Sequence, residues 1–574
     1  MIVIGAVILA LVPYARLIWG VDFTDSGYSI VNFEHFLDRR AFWSLATYAS
    51  NGLGWLFMHF PGGSTFIGIR AYCTFVVSAL NILIYFQLIK EYQPFSVFLG
   101  LLMSVFLSWC PYVVLYNYLS YYMIAATLLS LIKGLKHGNR RMLVAAGVLV
   151  GVSVFVRFSN IIMVALILAV IYYDYLSRKR FLSGLKDIGM CVIGFLIGAG
   201  VMYALTCITH GPDAYYKMID TLVSLGKADY GYSISDMLLT LPAAIYDHIK
   251  WIGAALVAVA IAIALSHFDS SRKEMYVLTT FLSVFLMIWE LYVIRRMAYW
   301  GEFTIHDYND NNAVFIFVVF LVILAVIFAW IDIWSQRSNY LHKFISFALL
   351  ILVVIIPLGT NTGILAYQNA MFLMLPVTFS TAWDKMFART RLRMPGMFLK
   401  GDQNYVGRIG IYVILIAATL WQSILYFGNY CYASAGTREL TATYTHGKLK
   451  GTRMLPGMVD IIEDLETFFE KENLHDRKVI TWGDIPLTSF ILDVDTAFST
   501  GWPDLKGFSP DVFEDELSQM DNPIIIVSKW YSGGDPLNPE VWVYSDKAEM
   551  LADYMVENDY SIRFENDRFR VYMR

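Results

Sequence analysis

Long apolar runs separated by short polar breaks fill most of the chain. Runs near 1–20, 66–89, 95–110, 113–132, 142–156, 160–176, 187–206, 251–266, 276–294, 313–334, 344–358, 364–383 and 409–427 each come close to the length needed to cross a ~30 Å hydrocarbon layer. The pattern predicts about thirteen spans. All of them are expected to be helical, because lipid offers no partner for an unpaired backbone amide or carbonyl. The first run, which opens MIVIGAVILA, has no Lys or Arg in its first ten residues and no small-residue cleavage site before the acidic loop, so it reads as a retained span. From residue 428 the pattern changes to shorter apolar stretches bounded by Gly, Pro and Asp. There it predicts a helix near 457–473, strands at 478–482 and 523–528, a helix at 545–557, and strands near 561–565 and 569–573. The expected architecture is an α-helical polytopic membrane protein: a membrane block at 1–427, then a small soluble α/β domain at 428–574.

Composition and charge sharpen that division. The 574 residues are 57% hydrophobic and only 16% charged, where a soluble chain carries roughly a quarter. That excludes a cytosolic or secreted enzyme. The net charge of −4 conceals two opposed parts: 29 Lys+Arg and 21 Asp+Glu in residues 1–427, against 14 and 26 in the tail. No basic tail suggests nucleic acid. With the N-terminus inside, the cytoplasmic loops hold 19 of the 29 basic residues, among them Lys133, Lys136, Arg140 and Arg141, and the run from Lys385 to Arg408. This agrees with the positive-inside rule. An odd number of spans then places the tail outside, together with the long loops 21–65, 207–250 and 295–312. Cys73, Cys110 and Cys191 lie in apolar runs as packing residues, and no cysteine spacing suggests a metal site.

The first outer loop opens with Val21-Asp22-Phe23-Thr24-Asp25-Ser26-Gly27-Tyr28 directly after the first span. Two carboxylates three residues apart at a membrane exit admit two readings. One is an acidic cap that keeps the helix end in water. The other is a general base whose basicity is raised by partial burial. The stretches 29–40 and 41–56 fit interfacial helices that cover the site, since aromatic residues favour that depth.

A first span running into an Asp-bearing outer loop, about a dozen further spans and an outer soluble domain is similar to the C-type (GT-C) membrane glycosyltransferases. That family includes protein O-mannosyltransferases and the aminoarabinose transferases of lipid A. The resemblance covers the whole chain as architecture and residues 21–28 as motif. It implies that Asp25 is the catalytic acid, with Asp22 in support, since Ser26 stands where the family commonly carries a second acid. It also implies a sugar donor on a polyprenyl phosphate and an extracytoplasmic glycan, lipid or protein acceptor. The acid deprotonates the acceptor hydroxyl, which displaces the lipid phosphate with inversion, and cations steady the leaving group.

Cations stand on the outer side. Arg157, in Val156-Arg157-Phe158-Ser159-Asn160, either snorkels to headgroups or grips a phosphate bidentately; the family has comparable Arg-x-Ser/Pro-Asn turns. Arg295 and Arg296 run against the positive-inside bias, as an anionic partner or interfacial anchoring each explains. They lead into His306, Asp307 and Asp310. No resident cofactor is expected; a divalent cation held by Asp307 and Asp310 with Asp25 is the one option the residue types offer. In Gly359-Thr360-Asn361-Thr362-Gly363, turn chemistry accounts for the glycines, and Asn361 with Gln368 is a candidate sugar contact. Trp482-Gly483-Asp484 and Trp502-Pro503-Asp504 either pack the tail or stack on sugars. Two other classes remain: a polysaccharide polymerase or ligase, which usually rests on outer-loop Arg and His, and a flippase or transporter, which needs ionisable residues within its spans.

Overall fold

The computed structural model describes residues 2–574 apart from 109, 179–180, 228–233, 267–276, 279–280, 283, 286–287, 290–291, 293–294, 297–311, 337, 361, 388–392, 395–396, 399–404, 431–434, 506, 531–534 and 538–544. Helices stand over most of the apolar runs, and two more, Asp25–Glu34 and Tyr48–Met58, stand in the expected outer loop 21–65. They begin with α1 (Ile2–Leu11), α2 (Asp25–Glu34), α3 (Tyr48–Met58), α4 (Phe66–Leu88), α5 (Pro94–Leu107), α6 (Leu115–His137) and α7 (Arg140–Val156). Helices Phe181–His210, Ile249–Ser266, Asn312–Trp334, Tyr340–Ile355, Leu365–Phe387 and Tyr405–Gly428 follow. The predicted span 276–294 lies largely outside the described residues. Among the described residues, five helical segments are long and apolar enough to cross a membrane: Phe66–Leu88, Leu115–His137, Phe158–Leu176, Leu182–His210 and Phe315–Trp334. Ile2–Arg16, Pro94–Leu107 and Tyr340–Ile355 are shorter apolar helices.

Helix α7 and Phe181–His210 pack backbone to backbone. A Cβ on Gly147 or Gly151 would strike the carbonyls of Cys191 and Phe195, and one on Gly194 or Gly198 would strike those of Val144 and Val148. Small residues four apart on both partners allow this approach, and within lipid such van der Waals contact is what holds helices together. The expected loop 207–250 is instead largely helical, with Ala214–Lys227 and Ile234–Asp247. Ala214, Tyr215 and Met218 recur at helical spacing and bury against Phe155 and Tyr203, a short amphipathic pattern that reads as loop among long apolar runs.

The helix ends form two groups. Glu91, just past α4, meets Lys136 at the end of α6 at 2.6 Å, and Tyr92 stacks on His342. At the other end of the bundle the start of α4 meets the tail, where the Phe66 amide donates to the Lys448 carbonyl. There Val113, Leu115 and Val156 share one core with Phe23, Ile30, Leu487 and Ile526.

The tail carries a four-stranded sheet of β1 (Val479–Trp482), β2 (Ile524–Ser528), β3 (Ser561–Glu565) and β4 (Phe569–Met573), in the order β1-β2-β4-β3. β1 and β2 are parallel, while β4 runs antiparallel to both neighbours. Every residue of β1 and β2 is buried, as befits strands covered on both faces. Val479, Ile524, Ile526 and Phe569 join the core shared with the first loop. Ile480, Trp482, Ile525 and Val527 face Phe513, Leu517 and Leu551. Helix Pro510–Ser518 was not predicted, because its short polar sequence buries only Phe513 and Leu517.

Candidate functional site

The exit of the first apolar helix is fixed by a buried arginine. The Arg70 guanidinium donates to the carbonyls of Arg16, Trp19 and Gly20, each at 3.0 Å. The Arg16 carbonyl also accepts from the Trp19 amide at 3.3 Å, and a charged donor shared by three carbonyls fixes the end of the helix. The tail adds a second clamp: the Gly20 amide donates to the Arg453 carbonyl at 2.8 Å, and the Arg453 amide donates to Ile18 at 2.7 Å. Loop 21–24 therefore leaves a held point.

Asp22 is 1% exposed. Its Oδ1 accepts from the Thr24 amide at 2.9 Å and the Thr24 hydroxyl at 2.6 Å, and its Oδ2 accepts from the Ser26 amide at 2.6 Å. Both oxygens thus satisfy donors at the open N-terminus of α2, the work of a cap. Asp25 is the first residue of α2, half-buried, beside the helix's positive end. The acidic pair is divided in role: Asp22 holds the turn, and Asp25 stands at the tip of the helix it caps.

The tail folds over this helix. The Leu487 amide donates to the Phe23 carbonyl at 3.1 Å, and a Cβ on Gly27 would lie within 2.7 Å of Leu487 Cα and Cβ. Tyr28 meets Trp502 edge-on, with centroids 6.0 Å apart. The Trp502 turn is itself braced, since Lys547 Nζ donates to the carbonyls of Pro503, Leu505 and Phe508 at 2.8, 2.8 and 3.0 Å. Arg568, 7% exposed, lies over the Phe23 ring at 4.1 Å and the Trp530 ring at 4.8 Å. Its Nη2 stands 3.7 Å from Asp484 Oδ2. Burial draws the Arg568 guanidinium below its ordinary range, while Asp484 and Asp22 oppose the shift. Both tryptophan motifs read from the sequence therefore converge on the loop that carries Asp22 and Asp25, and the Gly483 amide donates to Asp504 Oδ1 at 3.1 Å to join them. No motif in the sequence points to Arg568. Its signal is positional: it precedes the strand beside the carboxyl ends of two parallel strands, where α/β sheets gather ligands.

The far end of α2 meets the tail through titratable groups. Burial pushes the Glu34 carboxyl up to about 7; Lys448 opposes this, and Asp493 and Asp495 add to it. Burial also lowers His35, against the pull of Asp495 and Asp38, with Arg40 and Lys478 lowering it further.

Arg157 breaks the chain between α7 and the 3-10 turn that follows, with extended backbone. Its guanidinium donates to Asn117 Oδ1 at 3.3 Å and to the Gly359 carbonyl at 3.1 Å, and lies 5.5 Å from the Tyr116 ring centroid. The 156–160 and 359–363 turns are thus in contact. Asn160, buried, donates to Ser120 and to the Ser153 carbonyl and so locks the break. This turn lies at the tail end of the bundle: Ser50 on α3 donates to the Val156 carbonyl at 2.9 Å, and α3 packs on α2. Gln368 is buried in helix Leu365–Phe387, and its Oε1 has no hydrogen-bond partner among the described residues. Arg295 is exposed and Arg296 half-buried. His306, Asp307, Asp310 and Asn361 lie outside the described residues. Among the described residues, no group of three or more His, Cys, Asp or Glu side chains gathers as a metal site would require.

Compared with known proteins, the chain matches no family and no curated sequence. Its chemistry is therefore read from these residues.

Proposed function

We propose that this chain is a membrane glycosyltransferase that moves a sugar from a polyprenyl-phosphate donor to an extracytoplasmic acceptor. The observation that carries the reading is the placement of Asp25. It tips a capped helix just after the first apolar helix and beside the folded tail, and on this reading a membrane-borne donor and an external acceptor meet there. The reading includes thirteen spans, a cytoplasmic N-terminus and an extracytoplasmic tail. Its support is the sorting of helix ends: exposed Lys136, Arg140 and Arg141 lie at the end of the bundle away from the acidic tail, as the positive-inside rule requires.

In the reaction, Asp25 takes the proton of an acceptor hydroxyl. The acceptor oxygen forms a bond to the anomeric carbon from the face opposite the lipid phosphate. The bond from that carbon to the phosphate oxygen breaks, and the electron pair leaves with the polyprenyl phosphate. Arg157 stabilises the charge developing on that phosphate, a role in which preorganised donors contribute most. Arg295 and Arg296 are further candidates for the phosphate, and His306, Asp307, Asp310, Asn361 and Gln368 for the sugar. Transfer measured with purified Asp25→Asn enzyme tests the assignment. Loss of turnover in a folded protein supports it, and wild-type turnover removes it.

A further inference from the structure

In the half of the bundle away from the tail, helices α4, α6, Tyr340–Ile355 and Leu365–Phe387 leave a crevice between them. Ile84, Leu349 and Val377 are buried at its depth, and Gln87, Leu129 and Ile132 stand half-buried at its lip. Gln87 is the only polar side chain among the described residues that line it. Water needs about two to four polar partners to stay in such a place, so hydrocarbon suits the crevice better. The rim above the lip is basic. Lys90 lies in the turn that ends α4, its amide donating to the Gln87 carbonyl at 3.3 Å. Lys133 lies one helical turn beyond Leu129 on the same face of α6. Both lysines are exposed, and among the described residues neither is in an ion pair. The Glu91–Lys136 bond at 2.6 Å draws the two helix ends together and neutralises Glu91.

We propose that this crevice seats one acyl chain of an anionic membrane phospholipid, with Lys90 and Lys133 holding its phosphate. One helical turn is about 5 Å, so the two ammonium groups stand at headgroup depth for a chain that enters between Gln87 and Leu129. Their aliphatic stems lie along apolar surface while the charges meet the phosphate. The turns 89–93 and 133–141 carry five cations, Lys90, Lys133, Lys136, Arg140 and Arg141, against the single carboxylate of Glu91. That excess attracts an anionic headgroup and repels the choline of a zwitterionic one. A chain seated among four helices ties them together, so the lipid stabilises the folded bundle by mass action. The donor phosphate of the proposed transfer belongs beside Arg157, at the opposite end of the bundle. The phospholipid is therefore a second lipid, and its seat does not depend on what Asp25 does.

The test uses the purified full chain in detergent and native mass spectrometry with added dioleoyl-phosphatidylglycerol, dioleoyl-phosphatidylcholine or farnesyl phosphate. One phosphatidylglycerol should bind at least tenfold more tightly than phosphatidylcholine and raise the melting temperature. Lys90→Gln combined with Lys133→Gln, which changes only exposed side chains, should abolish that preference and leave phosphatidylcholine binding as in the wild type. Leu129→Trp, which fills the lip, should weaken phosphatidylglycerol binding tenfold or more with both lysines in place. Equal binding of the two phospholipids by the wild type, or unchanged phosphatidylglycerol binding in either variant, overturns the proposal. Displacement of the bound phosphatidylglycerol by an equal concentration of farnesyl phosphate also overturns it, because the crevice would then be a seat for a polyprenyl chain.

Discussion

Gly27→Ala gives a signed test of whether the tail is seated on α2. Alanine in a helix is favoured over glycine by about 1 kcal/mol, so on an isolated α2 the change would stabilise. In the assembled protein the new Cβ would lie within 2.7 Å of Leu487 Cα and Cβ, and closer to the Leu487 amide. Backbone in that position has no rotamer with which to move aside, and overpacking of this kind costs about 1–3 kcal/mol. Displacing Leu487 also breaks its amide bond to Phe23, at about 0.5–1.5 kcal/mol. The balance is a loss of about 2 kcal/mol. It is confined to the junction, so it should appear first as faster hydrogen exchange at Leu487 and easier proteolytic release of the tail, ahead of any change in the helix bundle. A Gly27→Ala protein with raised stability and unchanged exchange at Leu487 would show that α2 and the tail do not touch.

The Glu34 carboxyl, raised from 4.5 to about 7, holds its proton more tightly in the folded state. Its contribution is thus favourable below about 4.5 and is lost as pH rises toward 7, by at most about 3 kcal/mol. Glu34→Gln should flatten the fall in tail-junction stability between pH 4.5 and 7, and an unaltered pH profile would mean Glu34 is not buried there. Arg157→Ala should weaken binding of polyprenyl phosphate, with Arg157→Lys rescuing poorly because lysine lacks the planar fork; equal affinity in both variants would make Arg157 an anchor between turns. For topology, a cysteine at exposed Lys450 should react with an impermeant reagent from outside, and one at exposed Arg140 should not. The reverse pattern would place the Asp25 loop in the cytoplasm and end the polyprenyl-donor reading.

Most helices were legible because a lipid environment leaves the sequence few options: an apolar run of sufficient length has to satisfy its own backbone. The strands of the tail were legible for a related reason. Ile524–Ser528 is buried on both faces and so appears as an unbroken apolar run. Helices Ala214–Lys227 and Pro510–Ser518 were missed because each commits only a few side chains to a core, a weak signal next to long runs. The acidic motif at 22–25 stood out as local chemistry, yet the division of labour within it did not. Asp22 two residues before Thr24 and four before Ser26 is the spacing of a side chain that caps the turn after it. That reading was available from the letters. The Asp484–Arg568 edge was not, because its members come from distant strands and meet only through sheet order and the packing of Phe569 against Phe23.

In the proposed transfer, Asp25 removes a proton from the acceptor. Asparagine keeps the size and most of the hydrogen bonding of aspartate and cannot take that proton. General-base catalysis contributes about 10²–10⁴ in rate. The decisive measurement is the turnover of purified Asp25→Asn enzyme with a polyprenyl-phosphate sugar and a glycan acceptor, taken beside its thermal stability and Leu487 exchange. Turnover should fall by about 10²–10⁴ in a protein that melts and exchanges as the wild type does. Wild-type turnover in that protein would contradict it and leave Asp25 as a residue of the capped turn alone.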